Sequence, residues 1–106
     1  MDSPDDQPIG VDVRLPLGIV AAFRKVGQQI GRRNSALAEL MVQELLASGE
    51  ITARVPGQFV GDRRLTLRLE AATHASLADI AASKGVSVRA LLRLAIEQGL
   101  QRRGQL

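Results

Sequence analysis

The chain repeats itself at a fixed offset of 54 residues, and this repeat limits the fold more than any other feature of the sequence. Residues 11–15 and residues 65–69 both read apolar-polar-apolar-Arg-Leu. The same offset, without a gap, pairs Gly31 with Gly85. A repeat of this kind predicts two copies of one supersecondary unit. Further pairs at the same offset are Phe23 with Leu77, Val26 with Ile80, Ala36 with Ala90, Leu37 with Leu91, Leu40 with Leu94, and Val42 with Ile96.

Each copy has the same internal order of hydrophobic patterns. A short alternation of apolar and polar residues predicts a half-buried β-strand, and two stretches of helical periodicity follow it. Gly31 and Gly85 separate these stretches, where glycine suits a left-handed helix C-cap. Pro16 suits the first turn of a helix, Ser87 suits an N-cap, and Gly49 is expected to end a helix. The helix-period positions are Val20, Phe23, Val26, Ile30, Leu37, Leu40, Met41, Glu44 and Leu45, then His74, Leu77, Ile80, Ala81, Leu91, Leu94, Ala95 and Leu100.

The patterns divide the chain into two units and a connection. The connection is rich in glycine and proline, which predicts a linker. Within it residues 51–55 alternate, so a short extra strand stays open. The predicted division is a flexible acidic tail at 1–8, one unit at 9–46, the linker at 47–62, a second unit at 63–101 and a C-terminal tail at 102–106.

A single unit of one strand and two short helices cannot bury its apolar faces or pair the backbone groups of its strand. Two units solve both problems if their strands pair antiparallel and four helices close beneath them. The expected fold is mainly α with a two-stranded antiparallel β-ribbon, in the order β-α-α-β-α-α, folded as an intramolecular pseudo-dimer. Pairing between chains, unit one with unit one, is the alternative. The side chains expected in the shared core are Val11, Val13, Leu15, Leu65, Leu67 and Leu69.

The alternate strand residues point outward, and they are unusually polar and basic for a two-stranded ribbon. Such a ribbon fits the major groove of B-DNA, where Arg bonds guanine, Asp accepts from cytosine and Thr contacts several base edges. Pairing the strands about their centres puts Asp12 opposite Thr66, Arg14 opposite Arg64, and Gly10 opposite Arg68. The five polar residues among these are the predicted base-reading set. Because the two ends of the ribbon bear different residues, we expect an asymmetric double-stranded DNA site. An ordinary solvated strand face is the alternative.

The charge balance favours a polyanionic partner. The chain has 14 Lys and Arg against 11 Asp and Glu, a net charge of +3. Three of the acidic residues (Asp2, Asp5 and Asp6) lie in the N-terminal tail, so the rest of the chain carries a net charge of +6. A basic body of this size suits nucleic acid.

The whole pattern resembles the ribbon-helix-helix family, which includes the Arc and MetJ repressors. The motifs are VDVRLP at 11–16, FRKV at 23–26, GR at 31–32, NS at 34–35 and GVSVRAL at 85–91, within residues 10–46 and 64–100. Two units in one chain resemble the TraY proteins of conjugative plasmids, which assist a relaxase and act on transfer-gene promoters. The resemblance implies a transcriptional regulator or a relaxosome accessory factor, with a relaxase as its protein partner in the second case.

The resemblance also implies phosphate contacts where each second helix begins. A helix N-terminus presents free N–H groups and a positive dipole end to an anion. Arg33 stands where Ser87 stands in the second copy; it cannot cap a helix as Ser does, but its guanidinium can bind phosphate. Asn34 or Ser35 is then the alternative cap, with a later helix start. The implied phosphate-binding residues are Arg32, Arg33, Asn34, Ser87, Val88 and Arg89.

Other classes of function find little support in the sequence. There is one histidine, His74, and no cysteine, so we expect no zinc site, no disulfide and no cofactor. Its repeat partner Val20 predicts a half-buried helix position for His74. No Ser/His/Asp set and no phosphate-binding glycine loop with its Lys is recognisable, so we expect no enzyme. Two aromatic residues give few stacking platforms for single-stranded nucleic acid.

Two expectations concern the setting of the protein. Residues 1–8 lack the basic and apolar regions of a signal peptide, and no apolar run nears the ~20 residues that cross a bilayer. We therefore expect a soluble cytoplasmic protein that is a monomer of 11.4 kDa in solution. The rival function from another class is an antitoxin or adaptor whose working surface binds a protein.

Overall fold

The computed structural model describes residues 7–49 and 63–105. This part of the chain is mostly helical, with one two-stranded antiparallel sheet, so the predicted order β-α-α-β-α-α is confirmed. The acidic tail up to residue 6 and the alternating stretch at 51–55 lie outside the described residues. The elements are β1 (Ile9–Leu15), α1 (Leu17–Ile30), α2 (Asn34–Ser48), β2 (Arg63–Leu69), α3 (Ala71–Lys84) and α4 (Val88–Arg102).

The two strands form a ribbon whose register is the predicted one. Asp12 lies opposite Thr66 at the centre, Arg14 lies opposite Arg64, and Gly10 is the partner of Arg68. Because successive strand residues point to opposite faces, the alternation in the sequence becomes one apolar and one polar face. All six apolar residues predicted for the core are buried: Val11, Val13, Leu15, Leu65, Leu67 and Leu69.

The four helices cover the apolar face of the ribbon in a crossed arrangement. α2 packs against β2, α4 packs against β1, and α2 and α4 pack against each other. Each second helix therefore covers the strand of the other copy, and one continuous core joins the two copies. The core is aliphatic except for Phe23, which is fully buried. At about 1.5–3 kcal/mol for each large apolar side chain, this shared burial is the main stabilising term.

Glycines end three of the helices as expected. Gly31, Gly49 and Gly85 have φ values of 68°, 65° and 67°, in the left-handed region that glycine enters without strain. α2 continues to Ser48 before Gly49 stops it, two residues past the predicted end of the first unit. α4 continues to Arg102, one residue past the predicted end of the second. No helix in these two ranges has the length and apolarity that a bilayer span requires.

Three local features differ from what the sequence pattern suggests. Pro16 precedes α1 and accepts a hydrogen bond from Val20 N through its carbonyl, so it lies before the first turn and not in it. Ile30 is 44% exposed, because it is the last residue before the chain turns away at Gly31. α2 begins at Asn34 without the shift that a cap at Asn34 or Ser35 would bring.

The start of α2 is held by the backbone of the preceding turn. Arg32 N bonds Gly27 O at 2.8 Å, and Arg33 occupies the N-cap position with no side-chain cap. A Cβ on Gly27 would lie 2.8 Å from Arg32 O, so glycine permits this close approach. The turn around Gly85 has the same left-handed cap and the equivalent backbone bond from Val86 N to Ala81 O at 3.0 Å, although Ala81 stands where the first copy has Gly27. The helix therefore starts at the same repeat position in both copies, whatever side chain stands at the cap.

Candidate nucleic-acid interface

The outward face of the ribbon has a hydrogen-bonded pair at its centre. Thr66 Oγ1 donates to Asp12 Oδ1 at 2.6 Å, and Arg64 Nε lies 3.9 Å from Asp12 Oδ2. The Arg64 and Asp12 side chains are 65% and 40% exposed, so this ion pair is screened by water and adds little stability. Because the Thr66 proton is directed to Asp12, both residues offer acceptor lone pairs to a ligand above the centre.

Arginines flank this acceptor centre unequally. At one end Arg14 and Arg64 lie opposite each other, and Arg63 is the next residue, in the last pair of the ribbon. At the other end Arg68 lies opposite Gly10, which has no side chain. The ribbon therefore presents donors, acceptors and donors in order along its length, with more cationic charge at one end.

The start of α2 lies against the outer edge of β2. The hydroxyl of Ser35 accepts a hydrogen bond from Arg68 N at 3.0 Å. This bond satisfies an edge-strand N–H that points away from β1, and it fixes the first turn of α2 beside the ribbon. Arg33 and Arg32, which precede the helix, are exposed. The predicted phosphate residues of the first copy therefore lie at one edge of the ribbon.

The start of α4 lies on the opposite edge, beside β1. An open cleft of about 470 Å³ runs between them, with Val88 and Arg89 on one wall and Gly10 and Asp12 on the other. His74, half-buried as predicted, also lines it.

Ser87 caps α4 in the predicted way. Its hydroxyl accepts from Ala90 N at 3.1 Å. The N–H groups of Val88 and Arg89 in the first turn have no partner within the helix, as at any helix N-terminus. Both helix starts thus present orphan N–H donors, and they do so on opposite edges of the ribbon.

The two helix starts differ in charge. A second concavity of about 390 Å³ lies at the turn before α2, and its lining includes Arg24, Arg32, Arg33 and Asn34. None of the described Asp or Glu residues lines it, and its three arginines are exposed. At α4, Arg89 is the only arginine among the described residues of the cleft lining, and Asp12 lines the same cleft. The first copy therefore offers an anion more positive charge.

On α4 and directly after it, away from the ribbon, three arginines have carboxylate partners. Glu44 on α2 accepts from Arg103 Nη1 at 3.0 Å and from Arg103 Nη2 at 2.9 Å, and Arg102 lies 3.6 Å away. The hydrogen bond from Arg103 and the nearby positive charges lower the pKa of Glu44, against a smaller opposing effect of burial. On α4, Arg93 pairs with Glu97 at 2.9 Å.

Near the ribbon, several arginines have no carboxylate partner. The described residues include thirteen Lys and Arg against six Asp and Glu. No ion pair joins Arg14, Arg33, Arg68 or Arg89 to any residue that the structure describes. Uncompensated positive charge therefore lies on the ribbon and beside the two helix starts, where it raises the local potential for an anion.

The sequence pattern did not predict the polar contacts that Glu39 makes across the two copies. Glu39 on α2 accepts from Glu70 N at 2.9 Å and from Thr73 Oγ1 at 2.7 Å, at the start of α3. A signal for it exists in the repeat, since the position equivalent to Glu39 holds Arg93 and the position equivalent to Glu70 holds Pro16, which has no N–H. When the charge at one repeat position and the hydrogen-bond donor at another both differ between the copies, the two positions are candidates for a contact between the copies.

The predicted site residues thus fall into two groups, one on the outward face of the ribbon and one at the two helix starts. No cluster of three or more His, Asp or Glu suited to a metal ion occurs within 7–49 and 63–105. Comparisons with protein-family models, with curated proteins and with solved structures find no match for this chain. The function of the chain is therefore inferred from the geometry of this surface.

Proposed function

We propose that the chain is a sequence-specific double-stranded DNA-binding protein of the ribbon-helix-helix type. Its two units act as a pseudo-dimer within one chain, and the ribbon enters the major groove. The observation that carries the proposal is the combination of an outward ribbon face bearing three arginines with a helix N-terminus on each edge of that ribbon.

The geometry matches the shape of a duplex. The major groove is about 12 Å wide and is bordered on both sides by phosphates. A ribbon in the groove brings its two edges toward the two phosphate strands. Orphan N–H donors at the starts of α2 and α4, with Arg33 and Arg89 beside them, then bind those phosphates as charge-assisted contacts.

The ribbon face supplies sequence discrimination. Arg14, Arg64 and Arg68 donate to guanine O6 and N7, whereas Asp12 accepts from an amino group of cytosine. Asp12 is unfavourable beside a polyanion unless it accepts such a bond or orients a neighbouring arginine such as Arg64. In the first case it selects against sequences that lack an amino group there. The unequal ends favour a target that is not a palindrome.

In a cell we propose a cytoplasmic role at specific DNA sites. The two forms of that role are regulation of transcription and assistance to a relaxase at a plasmid transfer origin. Both forms use the same contacts with DNA, and the relaxase is a proposed partner for the second form.

Selection from a random duplex library tests the proposal. Purified full-length chain should enrich one motif that is not palindromic, and affinity for it should fall steeply as salt rises, because binding releases counterions from the phosphates. A control variant that combines Lys25→Ala with Lys84→Ala removes two exposed charges on α1 and α3 and should enrich the same motif. If the wild-type chain enriches no sequence, the function is not DNA recognition, and a protein-binding role replaces it.

A further inference from the structure

The two halves of the molecule meet through unlike residues at equivalent positions. The first half comprises β1, α1 and α2, and the second comprises β2, α3 and α4. If a half met a copy of itself, each partner residue would be replaced by its equivalent 54 positions away in the sequence. The contacts between two identical halves can therefore be deduced from the contacts in the structure. Three contacts, at the edge, in the core and on the ribbon, become unfavourable for two first halves, and the core contact becomes unfavourable for two second halves as well.

The edge contact depends on Glu39. It accepts hydrogen bonds from Glu70 N and Thr73 Oγ1 of the second half. A copy of the first half would offer Pro16 and Ile19 at the equivalent positions, which lack the N–H of Glu70 and the hydroxyl of Thr73. Glu39 would lose both bonds while it remains half-buried, which is unfavourable for a charged group.

The core contact is a fit of a large residue to a small one. Met41 on α2 packs onto Gly99 on α4 so closely that a Cβ on Gly99 would lie 2.7 Å from Met41 Cγ. The repeat equivalents are Ala95 for Met41 and Leu45 for Gly99. Two first halves would force Met41 against Leu45, whereas two second halves would leave a void between Ala95 and Gly99. Overpacking and cavities both destabilise a core.

The ribbon contact is the central pair. Asp12 accepts a hydrogen bond from Thr66 at 2.6 Å. Two first strands paired about the same centre would put Asp12 opposite a second Asp12. Like charges directly opposite each other destabilise an antiparallel pair.

We propose that the two halves are obligate unlike partners, so that the buried face of each half accepts the other half and rejects a copy of itself. The occupant of each face is the other half of this chain, because hydrogen-bond, size and charge complementarity all select it. The ribbon then has one fixed asymmetric face and no symmetric alternative. This inference is independent of what the ribbon binds.

Cysteine cross-linking in the full-length chain tests the pairing, since the natural sequence has no cysteine. Asp12 and Thr66 face each other across the ribbon, and facing residues of an antiparallel pair are close enough for a disulfide. The double variant Asp12→Cys with Thr66→Cys should oxidise within one chain and keep the mass of one chain on a non-reducing gel. Failure to form this intrachain bond would overturn the proposal.

The single variants Asp12→Cys and Thr66→Cys test rejection of like halves. Like pairing about the ribbon centre would place each introduced thiol against its own copy and give a covalent dimer. Lys25→Cys, exposed on α1, measures the background of dimers formed by collision. We expect both single variants to dimerise no more than this control. A dimer fraction clearly above the control would overturn the proposal. The Asp12→Cys variant is the more demanding case, because it also removes the repulsion between like strands.

A size exchange in the core tests the cause of the selectivity. Gly99→Met should lower the melting temperature by about 4–8 °C or more, since overpacking on this scale shifts a small domain by that amount. Adding Met41→Ala to it should recover part of the loss, although Met41→Ala alone also lowers the melting temperature. If the two losses simply add, Met41 and Gly99 are not matched in size, and the proposal fails.

Discussion

The two helix starts beside the ribbon have the same backbone but different chemistry. Asn34 and Val88 begin their helices at equivalent repeat positions, after turns at Gly31 and Gly85 with the same left-handed geometry. α4 has a side-chain cap in Ser87, whereas α2 has none and has three arginines nearby instead. The glycine turn and the shared core therefore determine where a helix starts, and the cap residue is available for another task. In α2 that task, on our proposal, is to bind a phosphate.

The largest expected effect is a loss of DNA affinity when the arginines at the start of α2 are removed. Arg32→Ala combined with Arg33→Ala should weaken specific and non-specific DNA binding alike, by about 1.5–3 kcal/mol for each charge-assisted hydrogen bond that the variant removes. The slope of log affinity against log salt should become shallower by about 2, because two phosphates lose their cationic partners. Binding titrations at several salt concentrations measure both quantities. A changed sequence preference with an unchanged slope would contradict the assignment of these residues to phosphate.

The next effect compares the two ends of the ribbon. Arg68→Ala should relax the preference at one or two base pairs at one end of the site, by about 1–3 kcal/mol of discrimination. Arg14→Ala should relax it at the opposite end of the site. Affinities for a panel of single-base variants of the selected duplex measure the positions. Loss of preference at the same base pairs in both variants would contradict the register of the ribbon on DNA.

A smaller effect on stability is expected when the side-chain cap is removed from α4 and one is introduced at α2. Ser87→Ala should cost about 1 kcal/mol of unfolding free energy through loss of the bond to Ala90 N. Arg33→Ser should gain a similar amount by giving α2 a cap, and it should weaken DNA binding at the same time. Urea unfolding and DNA titration of both variants separate the two quantities. Equal losses of stability in both variants would show that Arg33 has a structural role.

The smallest expected effect concerns pH at the far end of α2 and α4. Arg103 holds the pKa of Glu44 below its ordinary value of 4.5, so the folded state binds this proton more weakly than the unfolded state does. The pair therefore stabilises the fold above about pH 4.5, and this stabilisation is lost as the pH falls through the lowered pKa of the folded state. Glu44→Gln should flatten the dependence of unfolding free energy on pH below 5 and leave DNA binding at pH 7 unchanged. An unaltered pH dependence would mean that the contact adds nothing to stability.

Much of the fold was predictable from periodicity, and the reason is physical. A strict alternation at 11–15 and 65–69 can bury one face in a single way, so the ribbon register followed from the positions of Val13 and Leu67. Gly31 and Gly85 predicted the helix ends because glycine enters the left-handed region without strain. The exposed Ile30 was not predictable, because hydrophobic periodicity does not show where a helix leaves the core.

The strand residues of the candidate site were predictable from the sequence, whereas the contacts that hold α2 beside them were not. The outward position of Arg14 or Arg68 depends on strand alternation, which is local. The bond from Arg68 N to Ser35, and the bonds from Glu70 N and Thr73 to Glu39, depend on how α2 crosses to the strand and helix of the other copy. Such contacts join residues more than 30 positions apart, and no local pattern specifies their partners.

The central claim, that the outward ribbon face distinguishes DNA sequences, is tested most directly by one ratio. The ratio compares the Kd for a scrambled duplex with the Kd for the selected duplex, in the wild type and in a variant that combines Arg14→Ala, Arg64→Ala and Arg68→Ala. The wild type should show a ratio of about 10³ or more, which is the range of specific DNA-binding proteins. The triple variant should lose most of that ratio while it keeps the same circular dichroism and melting temperature, because these side chains point away from the core. A folded triple variant that keeps the wild-type ratio would contradict the claim.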